Sequence, residues 1–163
     1  MPARAQLGVE VEVKGDEQAA RLLAGMAKHG ADPRPALRQI SDELRAAEDP
    51  WFRTHGDGTW ADLAEATKLA KQAQGYPDNP LVRTGALGGT LTVRSGARSI
   101  RKVTKAEMHF GTSLFYAKFH AIGSSVQMRN PVVPVNAESR RRMVYDIKRY
   151  VMTGQLSGNA VFR

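Results

Sequence analysis

Cysteine is absent from this chain of 163 residues, which excludes disulfide bonds, thiolate metal sites and a cysteine nucleophile. Long hydrophobic runs are missing too, and no stretch approaches the roughly 20 apolar residues of a membrane-spanning helix. The first residues lack the apolar segment and the small-residue cleavage site of a signal peptide. We therefore expect a cytosolic start, no membrane partner, and a chain long enough to bury the core of one domain.

Acidic residues become scarce in the second half of the chain. Residues 1–80 carry 10 Lys/Arg and 13 Asp/Glu, a net charge of −3, whereas residues 81–163 carry 14 and 3, a net charge of +11. This asymmetry indicates either a polyanionic partner for the second half or head-to-tail association of copies whose opposite faces meet. A basic surface that only keeps the protein in solution is the third interpretation.

Recognisable catalytic patterns are also lacking. Metal-ligand spacing and neighbouring carboxylate pairs are absent around the four histidines, which are His29, His55, His109 and His120. The few acids after residue 80 disfavour a two-carboxylate mechanism, and no glycine-rich nucleotide fingerprint is present. Tyr116 lies one turn before His120, yet such a histidine is more often packed than catalytic. The sequence predicts no catalytic residue, no cofactor and no metal site, so an enzyme is the least favoured function.

The first half predicts one strand and then helices. Residues 9–13 alternate valine with charged residues, as in a strand with one wet face. A helix begins at Asp16 and stops at Gly30, and a second begins at Asp32, which we expect Pro50 to break or kink. The apolar stripe of the first helix consists of Ala19, Leu22, Leu23 and Met26. Both of these helices should therefore pack on a core.

The segment from 51 to 80 predicts aromatic anchors, a surface helix and a loop. Trp51 and Phe52 are expected in the core, and Trp60 should fold back over the glycine-rich turn that precedes it. Residues 61–74 are good helix formers with a thin apolar face, which is typical of a helix on the surface. Residues 75–80 contain two prolines and an Asp-Asn pair, so they form a loop.

The second half predicts a sheet and two helices. Leu91 and Val93 should enter a strand after a short turn capped by Thr84, and residues 106–110 alternate as a further strand. Ser113 can cap a packing helix that stops at Gly123. The apolar face of this helix is Phe115, Phe119 and Ile122. A final helix begins at the cap Asn136, and its stripe is Met143, Val144, Ile147, Tyr150 and Val151.

The order of these elements predicts an α+β fold in which an antiparallel β-sheet is covered by several helices. We expect one domain over residues 1–153, followed by a C-terminal tail over residues 154–163.

Two basic clusters stand out as candidate contact surfaces. A basic hairpin is predicted within residues 94–105, which contain no acid, and we expect it to meet DNA or an acidic neighbour. Its basic residues are Arg94, Arg98, Arg101, Lys102 and Lys105. The second cluster, near the start of the last helix, opposes the helix dipole and suits a negatively charged partner. It consists of Arg140, Arg141 and Arg142.

Three blocks in this order are familiar: FRTHGDGTWADL at 52–63, LVRTGAL at 81–87 and FGTSLFYAKFHAIG at 110–123. Together they resemble the virion morphogenesis or tail completion family of long-tailed bacteriophages. The matching positions, which we expect to be structural, are Gly58, Trp60, Thr84, Gly85, Leu87, Tyr116, Ala117, His120 and Gly123. One departure is that family members often continue with Arg-Pro and an aromatic residue, whereas this chain reads RNPVVP at 129–134.

The resemblance implies a non-catalytic structural protein of the virion. It implies a ring of copies, expected to be a hexamer, at the head-proximal end of the tail, where the ring completes the tail and joins it to the head connector. The implied partners are further copies, other tail and connector proteins, and DNA in the channel. The alternative, carried by the charge of the second half, is a basic nucleic-acid-binding module.

Overall fold

The computed structural model describes residues 16–93, 96–124 and 126–158. The strand predicted at 9–13 and the side chain of Arg94 lie outside these ranges. In chain order the elements are α1 (Asp16–Ala31), α2 (Arg34–Arg53), α3 (Glu65–Gln72), α4 (Ala86–Thr92), β1 (Ser99–Val103), β2 (Met108–Thr112), α5 (Ala117–Ile122) and α6 (Ala137–Thr153). Within the described residues the sheet has two antiparallel strands, and the predicted α+β class is confirmed.

Helix α2 is the element on which most others pack: it contacts α4, α6 and both strands. Its start is fixed by Asp32, whose Oδ1 accepts the Arg34 backbone N–H at 3.3 Å while its carboxylate binds the Arg34 guanidinium. These hydrogen bonds lower the pKa of Asp32 to about 2. One face of α2 is buried along its whole length, and its members are Ala36, Ile40, Ser41, Leu44, Glu48, Trp51 and Phe52.

The predicted break at Pro50 is wrong, since α2 continues through Pro50 to Arg53. An interior proline costs about 3 kcal/mol because it lacks the N–H and crowds the preceding turn. The turn that follows carries Trp51 and Phe52 into the core, and each buried aromatic contributes about 2–3 kcal/mol. The helix therefore gains more by continuing than it loses at the proline.

The core lies at the C-terminal end of α2. Its buried members are Trp51, Phe52, Trp60, Leu87, Leu91 and Ala117. The indole of Trp60 meets Phe52 and Trp51 edge to face, with centroids 5.3 and 6.1 Å away, a geometry that aromatic quadrupoles favour. Leu91 belongs to α4 rather than to the predicted strand, because Leu87 and Leu91, one helical turn apart, are both buried.

The hairpin is formed by β1 and β2, with Arg101 opposite Phe110 and Lys102 opposite His109. Its turn lies at 104–107, where the Thr104 hydroxyl accepts the N–H of Glu107. Residues 94–105 therefore hold only the first strand and the start of the turn, not the whole hairpin that the sequence predicts. One face of the sheet packs on α2 and α4, and Ile100, Lys102 and His109 on the other face are exposed.

Helix α6 begins at its predicted cap, but its predicted apolar stripe is only half-buried, Val144 in it is exposed, and its buried residues are Ser139 and Asp146. The Asn136 side chain accepts the Ser139 N–H at 2.8 Å, and Gly154 ends the helix in a left-handed conformation. The helix packs on α2 and on α1, with the His29 and Tyr150 rings 5.5 Å apart. Beyond it, the amide of Gln39 donates to the Ser157 carbonyl, so the described part of the tail lies against α2.

Helix α1 runs one residue past the predicted stop at Gly30. Its expected apolar stripe is not buried, since Leu22 and Leu23 are exposed. The prediction fails because α1 packs on α6 through its C-terminal half, where the half-buried residues, such as Met26 and His29, lie.

Candidate assembly surfaces

The segment 129–133 contacts the end of α2 and the first of the three blocks that carry the sequence resemblance. The Asn130 carbonyl accepts from the indole Nε1 of both Trp51 and Trp60, each at 3.1 Å. The Arg129 guanidinium donates to the carbonyls of Ala61 at 2.7 Å and Asp62 at 2.9 Å. Pro131 is fully buried. Where the family often has an aromatic anchor, this chain docks its segment through backbone carbonyls, a buried arginine and a proline.

The turn before Trp60 is a left-handed helical turn. His55, Gly56, Asp57 and Gly58 all have φ between 51° and 76°, a region that glycine adopts at little cost. At Gly56 a Cβ would lie 2.4 Å from Nε1 of Trp60. The turn thus needs Gly56 for close approach and Gly58 for its backbone angle only, since nothing lies within 4 Å of a Cβ there.

Glu48 is a buried carboxylate that sequence reasoning missed. Its Oε1 accepts the Val133 N–H at 3.0 Å, while its buried Oε2 has no partner among the described residues. Burial raises the pKa of Glu48 to about 7, against a smaller lowering by the Val133 hydrogen bond. Its spacing from Ile40 and Leu44 was a usable signal, because it places Glu48 on the inward face of α2.

An open groove of about 600 Å³ lies between α3 and α5. Four of the motif residues line it, namely Thr84, Leu87, Tyr116 and His120, and no acidic side chain does. On its α3 side, Lys71 Nζ donates to the carbonyls of Asn79 and Val82 at 2.8 and 2.7 Å, and desolvation lowers the pKa of Lys71. The family-like positions therefore converge on one surface as well as on the core.

His120, which lines this groove, is half-buried. Desolvation, and then the positive charge of Arg129, lower its pKa, so the neutral imidazole is favoured. Its carbonyl accepts the Arg129 N–H at 2.9 Å. In the same block Ala117 is buried, and a Cβ at Gly123 would lie 3.0 Å from the Met128 Cβ. These contacts account for the small residues of the motif.

The structure separates the residues of the basic hairpin. Arg98, Lys102 and Lys105 are exposed. Arg101 instead reaches α2, where it donates to the Ser41 hydroxyl at 3.0 Å and binds the Asp42 carboxylate. Arg101 is thus a link between sheet and helix, and the three exposed cations remain the predicted contact set.

The basic cluster of α6 lies on an outward face. Arg142 pairs with Glu138 at 2.8 Å. Arg140 and Arg141 line a shallow groove of about 500 Å³ together with Ala137, Val144, Tyr145 and Lys148. This face combines positive charge with exposed apolar side chains, which suits contact with a partner surface.

The packing helix predicted after β2 is short, and its apolar face is not buried. Helix α5 begins only at Ala117, which is its one buried residue. The Ser113 hydroxyl donates to the Arg98 carbonyl instead of capping the helix. Phe115 and Ile122 face outward, so the side chains that the sequence assigns to the core form an uncovered surface.

The described residues hold no cluster of three or more His, Cys, Asp or Glu side chains that could bind a metal ion. Across the same ranges we found no helix with the length and apolar character that crossing a membrane requires.

Comparison with known protein families matches residues 14–150 to the phage virion morphogenesis family. The match covers most of the chain, including α1 and most of α6, which lie outside the three blocks of the resemblance. Neither the curated proteins nor the solved structures gave a significant match. The chain belongs to the phage virion morphogenesis family, which gives it a structural or assembly role in a phage virion.

Proposed function

We propose that this chain is a non-catalytic structural protein that forms a ring, expected to be a hexamer, at the head-proximal end of the tail of a long-tailed phage. There the ring completes the tail and joins it to the head connector. The observation that carries the proposal is a fold with a small core and many uncovered large apolar side chains, on α1, α3, α5 and α6. Such surfaces are typical of proteins that work in assemblies.

The position of the cations supports a place around a channel. Arg98, Lys102 and Lys105 lie on the hairpin, and Arg140 and Arg141 lie on α6, all within the half of the chain whose net charge is +11. A ring needs complementary faces between copies and a lining that tolerates DNA. We assign the contacts between copies to the apolar surfaces and the lining of the channel to these cations.

The proposal is tested with the full chain alone and in particles. Its native mass, measured by light scattering across a concentration series, should rise to that of a closed ring, and electron micrographs should show rings of one size. In purified virions the chain should be found at the neck by labelling. A chain that stays monomeric at every concentration and is missing from particles contradicts the proposal.

The second candidate, a nucleic-acid-binding module, is favoured by the exposed cations on the outer face of the hairpin. It requires that duplex DNA binds with an affinity that falls steeply with salt. Alanine at Lys102 and Lys105 should flatten that dependence, whereas alanine at Arg101, which is bound to Asp42, should change it far less. Weak binding that does not respond to salt would remove this candidate.

A further inference from the structure

The first half of α1 is not buried against any other described part of the chain. All residues from 17 to 24 are exposed, with Leu22 at 57% and Leu23 at 63%; we call this segment the α1 arm. The half-buried positions begin at Gly25, and His29, near the end of the helix, meets Tyr150 of α6. Two exposed turns of helix that carry adjacent leucines are only marginally stable by themselves. We therefore expect the arm to bind a partner.

A second uncovered apolar surface lies on and beside α5. Phe115 is 69% exposed, Ile122 68% and Met128 64%, and the ring of Phe119 meets that of Phe115 edge to face at 5.1 Å. We call these four residues the α5 patch. Lys118 Nζ lies 5.3 and 5.0 Å from the two ring centroids, so the patch carries one positive charge.

We propose that the α1 arm of one copy docks on the α5 patch of the next copy, which joins the copies head to tail. This proposal rests on the ring described above and names the surfaces that form it. Each copy would place its arm on the patch of one neighbour and receive the arm of another neighbour on its own patch. Such a contact between two different surfaces is heterologous, and heterologous contacts close into a ring when the rotation between copies permits.

Charge selects this pairing over contacts between like surfaces. The first nine residues of α1, 16–24, contain two acids and one base, while residues 113–128 contain one lysine and no acid. A patch-to-patch contact would bring two Lys118 side chains together, whereas the start of α1 brings a net negative charge to that lysine.

The absence of cysteine makes a clean crosslinking test possible. Full-length Leu22→Cys and Ile122→Cys proteins are mixed and oxidised, and we expect a disulfide-linked dimer that neither variant forms alone. Leu69→Cys mixed with Ile122→Cys is the matched control, because Leu69 is a leucine of similar exposure, 64%, on α3. A mixed yield no higher than the control overturns the proposal, as does a Leu22→Cys homodimer that dominates.

Substitution by aspartate tests the same contact without a crosslink. The variant Leu22→Asp/Leu23→Asp and the variant Phe115→Asp should each raise the concentration needed for assembly by at least about 100-fold. Leu69→Asp should leave assembly unchanged. All the side chains replaced are exposed, so unfolding in urea should match that of the natural chain.

The outcomes separate this proposal from the ring itself. If the natural chain assembles and both charged variants assemble equally well, the ring stands and the arm-to-patch contact is wrong. If the natural chain is monomeric at every concentration, both are wrong.

Discussion

Buried polar side chains hold the segment 129–133 in place. Glu48 accepts one N–H from it, and two tryptophan indoles donate to a single carbonyl within it. Arg129 extends from it to two further carbonyls. An unpaired buried polar group costs about 1–3 kcal/mol, so the loss of any one of these groups leaves its hydrogen-bonding partner unpaired at that cost. The segment thereby links α2, the left-handed turn before Trp60 and α5.

Glu48 should make the stability of the domain depend on pH. Its pKa is about 7 in the folded chain and near 4.3 in an unfolded one, so folding favours the protonated carboxyl. The stabilisation is fully present below about pH 4 and is lost as pH rises through 7, by a few kcal/mol. Glu48→Gln keeps the acceptor for the Val133 N–H but cannot titrate. Between pH 5 and 8 its free energy of unfolding should therefore fall much less than that of the natural chain.

The measurement is urea unfolding followed by tryptophan fluorescence at several pH values, since both Trp51 and Trp60 are buried. Glu65→Gln, an exposed position on α3, is the control and should keep the profile of the natural chain. A Glu48→Gln profile that runs parallel to that of the natural chain would show that Glu48 does not titrate between pH 5 and 8.

The two glycines of the left-handed turn should differ in their tolerance of alanine. Gly58→Ala meets no atoms but takes a residue with φ of +76°, which costs about 1–2 kcal/mol. Gly56→Ala adds a collision with the Trp60 indole, so we expect about 3 kcal/mol or more. Equal losses for the two variants in urea unfolding would contradict the close approach at Gly56.

At the scale of elements, periodicity and caps predicted the helices that have complete signals. Helix α6 begins at its asparagine cap, and α2 keeps one apolar face over five turns. The sequence predicts only a short helical turn before Leu91 and Val93 enter a strand, because two glycines and an alternating Leu-Thr-Val pattern hide the four-residue spacing of Leu87 and Leu91. The spacing produces a helix because Phe52 and Trp60 provide a core in which Leu87 and Leu91 are buried together.

The surfaces could be predicted only in part. Local pattern marks Leu22, Phe115 and Ile122 as apolar, but whether an apolar face is covered depends on packing between distant elements. The link from Arg101 to Asp42 spans about 60 positions in sequence, and no spacing rule signals it. Sequence therefore identified the chemistry of these side chains and not the side of the molecule they face.

Helix α3 has no buried residue, and we expect its stability to depend on Lys71. This lysine ties α3 to the loop that follows through the Asn79 and Val82 carbonyls. In Lys71→Met the apolar stem remains and both hydrogen bonds are lost, so amide exchange over residues 65–72 should accelerate while global unfolding changes little. Lys68→Met, which removes only pairs with the exposed carboxylates of Asp62 and Glu65, is the control, and an equal acceleration there would refute the role of Lys71.

On the scale of the whole molecule, two kinds of surface are combined. The contact proposed between copies is mostly apolar, whereas the exposed faces of the hairpin and α6 are basic. Salt screens charges over about 10 Å at 0.1 M and about 3 Å at 1 M, but it leaves hydrophobic contacts intact or strengthens them. The two surfaces should therefore respond to salt in opposite ways.

Raising sodium chloride from about 0.05 to about 0.5 M should abolish retention of duplex DNA while the native mass of the assembly stays constant. Light scattering gives the mass and a fluorescent duplex gives the binding, in the same samples. Arg140→Ala/Arg141→Ala should lower DNA binding and leave the mass unchanged, because these residues belong to neither the α1 arm nor the α5 patch. If the assembly instead dissociates as salt rises, complementary charge between the acidic and basic halves holds the copies together, and the apolar contact is not what closes the ring.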